Sequence, residues 1–281
     1  MSFPYTVPLT DKEVRTPTTT QRAPLGTRGA TPDGRIFRYA KNGATALTKG
    51  LLCQGKVQTT AWSNTTASYI STAFLTELGT TDIAAGTTYL HLTATGDTDL
   101  TVTKDLFKEG WIWVSGTATS AGQLMKIKTN NVASSGSTGY SATGGQLYVE
   151  FEAGYALSDP IDTAAEVSVC ENEYDGVVVS ATTATAELVG VPAVNVAASR
   201  YFWIQTWGPC AMKSEAEAIT SGKTVWNSTQ TAGCIQGVTG STDITGTDAI
   251  AGGIVGRIVQ SSADAVLQAS CNILVHLTLA P

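Results

Sequence analysis

The sequence predicts an all-β protein: a β-barrel or β-sandwich body, an extended N-terminal arm and few short helices. Three observations lead there. The 281 residues are 42% hydrophobic but only 14% charged, and 44 Thr, 21 Ser and 28 Gly fill the difference. Apolar residues alternate with polar ones in short runs bounded by Gly, Asn and Asp, the period-two pattern of half-buried strands. Finally, five of the nine prolines fall within the first 49 residues.

The elements follow in chain order. Residues 1–49 hold Pro4, Pro8, Pro17, Pro24 and Pro32. Proline fixes φ and removes a backbone donor, so this density argues against a helix or a central strand. The stretch TPTTTQRAPLGTRGATPDG has almost no large apolar side chain to bury and reads as an extended arm ordered by a partner. One piece differs: Pro32-Asp33-Gly34 and Asn42-Gly43 bracket RIFRYA, which predicts a hairpin or an added strand. From residue 50 the chain reads as a β-body over 50–281, with room for two β-subdomains. GWIWVSG, GQLYVEFEAG, EVSVC, DGVVVSAT, VGVPAVNV, RYFWIQTWGPCAM and NILVHLTLA are its strand candidates. In GQLYVEFEAG, Leu147, Val149 and Phe151 share the buried face. The helical candidates are TTASYISTAFLTELG, stopped at Gly79, and the short SEAEAITSG near residue 214. Two Gly-rich loops span 130–145 and 237–253.

Composition also excludes. A fully disordered chain lacks this apolar content, and no window approaches the roughly 20 unbroken apolar residues of a membrane span. The opening MSFPYTVPLTDKEVR lacks the layout of a secretory signal. The net charge of −6 is asymmetric. Residues 1–49 carry eight basic and three acidic side chains, hence +5, and the remainder carries −11. A basic arm on an acidic body predicts an acidic partner surface. That surface could be nucleic acid, another protein or a neighbouring copy.

Reactive constellations are scarce. Cys53, Cys170, Cys210, Cys234 and Cys271 are far apart, with no CxxC, so they read as small buried hydrophobes rather than zinc ligands or a disulfide framework. His91 and His276 lie inside alternating apolar runs and read as strand residues. SGKT at 221–224 mimics the end of a phosphate loop, but Glu217 stands where the first glycine is required. Glu150 and Glu152 share a polar strand face and read as a solvated face, not a glycosidase pair. Asp97, Asp99 and Asp105 miss calcium-loop spacing. Only Arg35-Ile36-Phe37-Arg38-Tyr39 interleaves basic and aromatic residues, and a body at −11 repels a polyanion. The expectation is therefore no enzyme, no catalytic residue, no metal or cofactor, no nucleic-acid partner and no membrane.

Several runs resemble a family. GTRGATPDGRIFRYAKNGATALTKGLL, DPIDTAAEVSVCENEYDGVVVSA, VGVPAVNVAASRYFWIQTWGPCAM and VGRIVQ…LVHLTLAP are similar to tailed-bacteriophage head structural proteins of the capsid decoration (cement) type. The aromatic strand entering Gly208-Pro209-Cys210 is the most recognisable stretch. The resemblance implies a β-barrel protein on the outer surface of an icosahedral head, made in the host cytoplasm. It also implies assembly as a homotrimer, with N-terminal arms reaching over the major capsid protein. This chain is longer than that pattern, with large polar loops. That leaves room for an outward-facing domain, or for a tail or head fibre component binding a host receptor or glycan.

On this reading the docking residues are Phe3, Tyr5, Phe37 and Tyr39 as aromatic anchors. Arg15, Arg22, Arg28, Arg35, Arg38 and Lys41 are the cations that would meet carboxylates on the capsid subunit. Trp62, Trp207 or Trp226 exposed in a groove would favour the fibre alternative.

Overall fold

A computed structural model describes residues 6–57, 68–70, 82–94, 101–115, 120–131, 133–134, 146–162, 165–183, 185–215, 221–237, 253–260 and 272–280. The fold is all-β, with one short helix among the described residues. The chain divides into two compact units: a terminal unit, Met1–Val57 with Glu173–Pro281, and an inserted unit, Gln58–Asn172.

The division differs from the expected boundary at 49/50. The described part of the N-terminal segment is built into the terminal unit. Its sheet orders the strands Val7–Pro8, Arg28–Ala30, Ile36–Asn42, Asp175–Val179, Cys53–Gln54, Leu188–Pro192, Tyr201–Lys213, Asn272–Thr278, Ile254–Gln260, Thr224–Asn227 and Ile235–Gly237. Ile36–Asn42 also pairs with Tyr201–Lys213, from Lys41↔Tyr201 to Ile36↔Trp207, and this closes five strands into a small barrel. Phe37, Ala40, Phe202 and Ile204 pack its core with Leu9, Val14, Leu25 and Leu47. The arm reading failed because these apolar residues come singly in a Thr- and Pro-rich run. Each is buried by a distant strand, so no local periodicity marks it.

Local signals held where the chemistry was specific. Gly34 N–H donates to Thr31 O at 3.0 Å and Thr31 N–H to Arg35 O at 3.1 Å, closing the PDG turn. Arg28–Ala30 then pairs antiparallel with Ile36–Arg38, as the hairpin reading predicts. Pro8 lies in the edge strand of the sheet, where no donor is needed. Two features depart from the proline argument. Ile36–Asn42 is central, because it begins four residues beyond Pro32. A helix, Asp11–Val14, fits in the proline-free gap between Pro8 and Pro17. Its capping box is complete: Glu13 N–H donates to Thr10 Oγ1 at 3.2 Å, and Thr10 N–H to Glu13 Oε2 at 2.8 Å.

The inserted unit is a closed, wholly antiparallel barrel. Its strands run, in order, Leu124–Asn130, Gln146–Phe151, Tyr89–Ala94, Ser68–Ile70, Glu166–Cys170 and Trp111–Ser115. Closure leaves each of these six strands paired on both sides. Leu90, Leu92, Ile112, Val114, Met125, Ile127, Leu147, Val149, Val167 and Val169 fill the interior. Leu147, Val149 and Phe151 point inward as the alternation predicts. Ser68–Ile70 is strand, against the helix expected over that run, whose remaining residues lie outside the described ones. Short local runs do not separate the two periods, and pairing on both sides decides for strand. The SEAEAITSG candidate lies largely outside the described residues.

The insertion point is a hairpin. Cys53–Gln54 and Asp175–Val179 are antiparallel neighbours, with Val178 opposite Gln54 and Val179 opposite Cys53. Residues 58–172 thus occupy the loop between two paired strands. The charge divides along the same line. The terminal unit has 13 basic and 11 acidic side chains, net +2; the inserted unit has 4 and 12, net −8.

Replacing residues 58–172 by a short Gly-Ser turn should leave a terminal unit that unfolds cooperatively, because the strands on either side already pair. The fragment 58–172 should fold separately. Near-ultraviolet circular dichroism during heating checks both, and a terminal unit without tertiary signal contradicts the division.

Candidate docking site

The site is a cavity of about 310 Å³ in the terminal unit, lined in part by Arg15, Arg35, Lys49, Gln205, Cys210 and Asn272. Its shape originates in the strand Tyr201–Lys213. Residues 201–207 pair with Ile36–Asn42, and residues 207–213 pair with Asn272–Thr278. The register shifts between Gln205 and Trp207, and Gly208 takes φ +89°, a left-handed conformation that suits glycine. A Cβ there would also sit 3.3 Å from the Arg35 Cα. The buried Gln205 amide donates to Trp207 O at 3.2 Å and to Pro209 O at 2.8 Å, which pins the bulge. The strand bends away from its first partner, and the cavity opens beside Pro209, Cys210 and Ala211.

Three cations reach this cavity from separate elements. Arg15 caps the short helix and pairs with Asp11 at 2.6 Å, one turn back. Arg35, at the end of the PDG turn, holds Asp33 at 2.8 Å and Asp11 at 3.3 Å. Its guanidinium lies 5.5 Å from the Phe37 ring centroid. Lys49 is exposed, is fixed through its backbone N–H to Asn195 Oδ1 at 3.0 Å, and forms no ion pair among the described residues. The hydrogen bond from Arg15, opposed by some desolvation and aided by Arg35, holds the Asp11 carboxyl below its ordinary value. Two guanidinium groups therefore already share one carboxylate at the rim. This geometry suits a carboxylate ligand.

The cationic rim of the cavity suits binding of an anionic group. Its one thiol, Cys210, is buried, and burial pushes it up to about 12, so it stays protonated at neutral pH. Burial also raises Cys53 and Cys234. The four described cysteines are free thiols, three of them buried. A buried hydroxyl–carboxylate pair that imitates a nucleophile and base is Ser228 with Glu215. Ser228 has no exposed surface, and its Oγ accepts from Gln230 N–H and Thr231 N–H. It caps a turn. No group of three His, Cys, Asp or Glu side chains able to hold a metal occurs among the described residues.

Of the ten docking residues expected from sequence, Arg15 and Arg35 meet here. Arg28 donates to Thr6 Oγ1. Arg38 donates to Gly26 O at 3.2 Å. Lys41 pairs with Asp175 at 3.2 Å and lies 6.0 Å from the Tyr201 ring centroid. Arg22 is exposed, and its backbone N–H donates to the Tyr39 hydroxyl at 3.0 Å. Phe3 and Tyr5 lie outside the described residues. Phe37 and Tyr39 are not surface anchors: they are 0% and 3% exposed. Tyr39 stacks on Tyr201 at 6.1 Å and meets Trp203 edge-on at 5.0 Å. The two rings share one strand face, and that face is the core.

Sequence reading missed Lys49, Gln205, Cys210 and Asn272, which converge from three distant segments. The Gly208-Pro209 pair inside an aromatic strand was the one local sign of a bulge. No family model, no curated protein and no solved structure matches the chain.

Phe37→Ala should lower stability by about 3–5 kcal/mol, the cost of emptying a packed aromatic site. Chemical denaturation measures it. A variant of unchanged stability would return Phe37 to the surface.

Proposed function

We propose that the protein is a virion structural component that decorates an icosahedral phage capsid and binds the major capsid protein lattice through its terminal unit. The observation that carries this reading is where the family-like runs lie. GTRGA, RIFRYAKN, VGVP, RYFWIQTWGPCAMK, VGRIVQ and LVHLT are scattered over some 250 residues, yet they contribute neighbouring strands of one sheet. One run, DPIDTAAEVSVCENEYDGVVVSA, crosses into the inserted unit. The excess length that set this chain apart is largely that inserted barrel.

Docking on this reading is by a folded surface, not by a loose arm. The cavity rim with Arg15, Arg35 and Lys49 accepts carboxylates of the capsid subunit. Each exposed pair contributes only about 0–1 kcal/mol. Binding strength comes from repetition over a lattice and from association of copies, with a homotrimer matching local threefold positions. The buried, protonated thiols and the hydroxyl-rich composition suit a part whose task is to persist.

The test is binding of purified full-length protein to undecorated heads of its own virus, followed by sedimentation. Saturation at hundreds of copies per head and weakening with salt are expected. Arg35→Glu combined with Lys49→Glu should lower affinity by about tenfold or more through avidity. Recovery with tails at a few copies, or normal decoration by the charge-reversed variant, contradicts the reading.

A further inference from the structure

The outer wall of the inserted barrel has no part in the reading above. Four neighbouring strands, in the order Trp111–Ser115, Leu124–Asn130, Gln146–Phe151 and Tyr89–Ala94, form one curved face. Their inward residues are Ile112, Val114, Met125, Ile127, Leu147, Val149, Leu90 and Leu92. The alternate positions therefore point outward, and they are rich in aromatic rings.

The outward residues form rows across the strands. Trp111 is opposite Lys126, whose ammonium lies 5.8 Å from the indole centroid, and Tyr155 meets Trp111 edge-on at 6.3 Å. In the next row Lys128 and Glu150 pair at 2.7 Å, with Tyr89 opposite Glu150. In the third, Tyr148 is opposite His91, with centroids 5.1 Å apart, and Tyr89 lies 5.8 Å from Tyr148. All these rings are half-buried, so each presents part of its surface to solvent. Outward neighbours on one strand are roughly 6.5–7 Å apart. Aromatic rings thus flank a polar row at a spacing close to the width of a sugar ring.

We infer that this face binds a neutral oligosaccharide. The C–H faces of a pyranose carry weak positive charge and pack on aromatic rings, as other electropositive groups do. The Lys128–Glu150 pair supplies donor and acceptor for ring hydroxyls and leaves no net charge in the middle of the face. The unit's net −8 repels a polyanion. A protein partner is less well served, because interface cores are depleted of charged residues and an ion pair occupies the centre here. The tryptophans differ from those the sequence suggested for such a role. Trp226 is buried and Trp207 packs edge-on against His276 at 5.5 Å, while Trp62 lies outside the described residues. The inference holds whichever particle the terminal unit joins.

The test uses full-length protein with maltohexaose and N-acetylchitotetraose as neutral probes, and tetralysine as the cationic alternative. Saturation-transfer NMR and tryptophan fluorescence report binding. At least one saccharide should bind, with the signal in its ring C–H protons. Trp111→Ala and Tyr148→Ala should each weaken binding about five- to tenfold, the loss of one aromatic contact. Tyr148→Phe keeps the ring and should bind normally, which separates lost contact from lost fold; thermal unfolding verifies each variant. No transfer to either saccharide, transfer undiminished in the folded alanine variants, or binding of tetralysine alone overturns the inference.

Discussion

The structure depends on the pairing of Ile36–Asn42 with Tyr201–Lys213. Lys41 and Tyr201, opposite each other in this ladder, are 160 residues apart in sequence. The pairing closes the five-stranded barrel, buries Phe37 between the two ends of the chain and turns a proline-rich segment into core. It also brings Arg35 beside Gly208. Chain entropy opposes such a contact, because a long loop must close before the ladder can form. The inserted unit eases this: its own barrel closes locally, and its ends leave from strands that already pair. A domain that folds within the loop shortens the effective span.

Once that ladder exists, the bulge at Gln205–Trp207 does the rest. It frees the second half of a 13-residue strand to pair with Asn272–Thr278, which adds the outer part of the sheet. It also opens the cavity where three cations from three elements converge. The electrostatic division follows the fold rather than the sequence ends. The raw count gave +5 on residues 1–49, but five of those cations are engaged by their own unit: Arg28 with Thr6, Arg38 with Gly26, Lys41 with Asp175, Arg15 with Asp11, and Arg35 with Asp33 and Asp11. Arg15, Arg35 and Lys49 are the ones gathered at a concave surface. Meanwhile the inserted barrel carries most of the acid.

The sequence disclosed what is local. Alternation in QLYVEF placed the barrel interior correctly, because a period of two cannot place Leu147, Val149 and Phe151 on different faces. The PDG turn was legible because its geometry is set within four residues. What stayed hidden is non-local. Leu9, Val14, Leu25 and Leu47 are isolated apolar residues, so a compositional average over the segment read them as exposed. Burial of Phe37 and Tyr39 depends on strands from the far end of the chain, and the same pattern would serve a surface anchor. The capping box Thr10-Asp11-Lys12-Glu13 is a local signal that went unread, because proline density argued against any helix in the segment. The cavity could not be read at all, since its lining is assembled from residues 15, 35, 49, 205, 210 and 272.

Native-state hydrogen exchange tests the central claim, that the N-terminal segment is part of the terminal unit's core. If it is, the paired amides of Ile36–Asn42 exchange only through global opening of that unit, with the same free energy and denaturant dependence as those of residues 201–207. Fast exchange across 36–42 while the Tyr201–Lys213 strand stays protected would contradict it and restore a detachable arm.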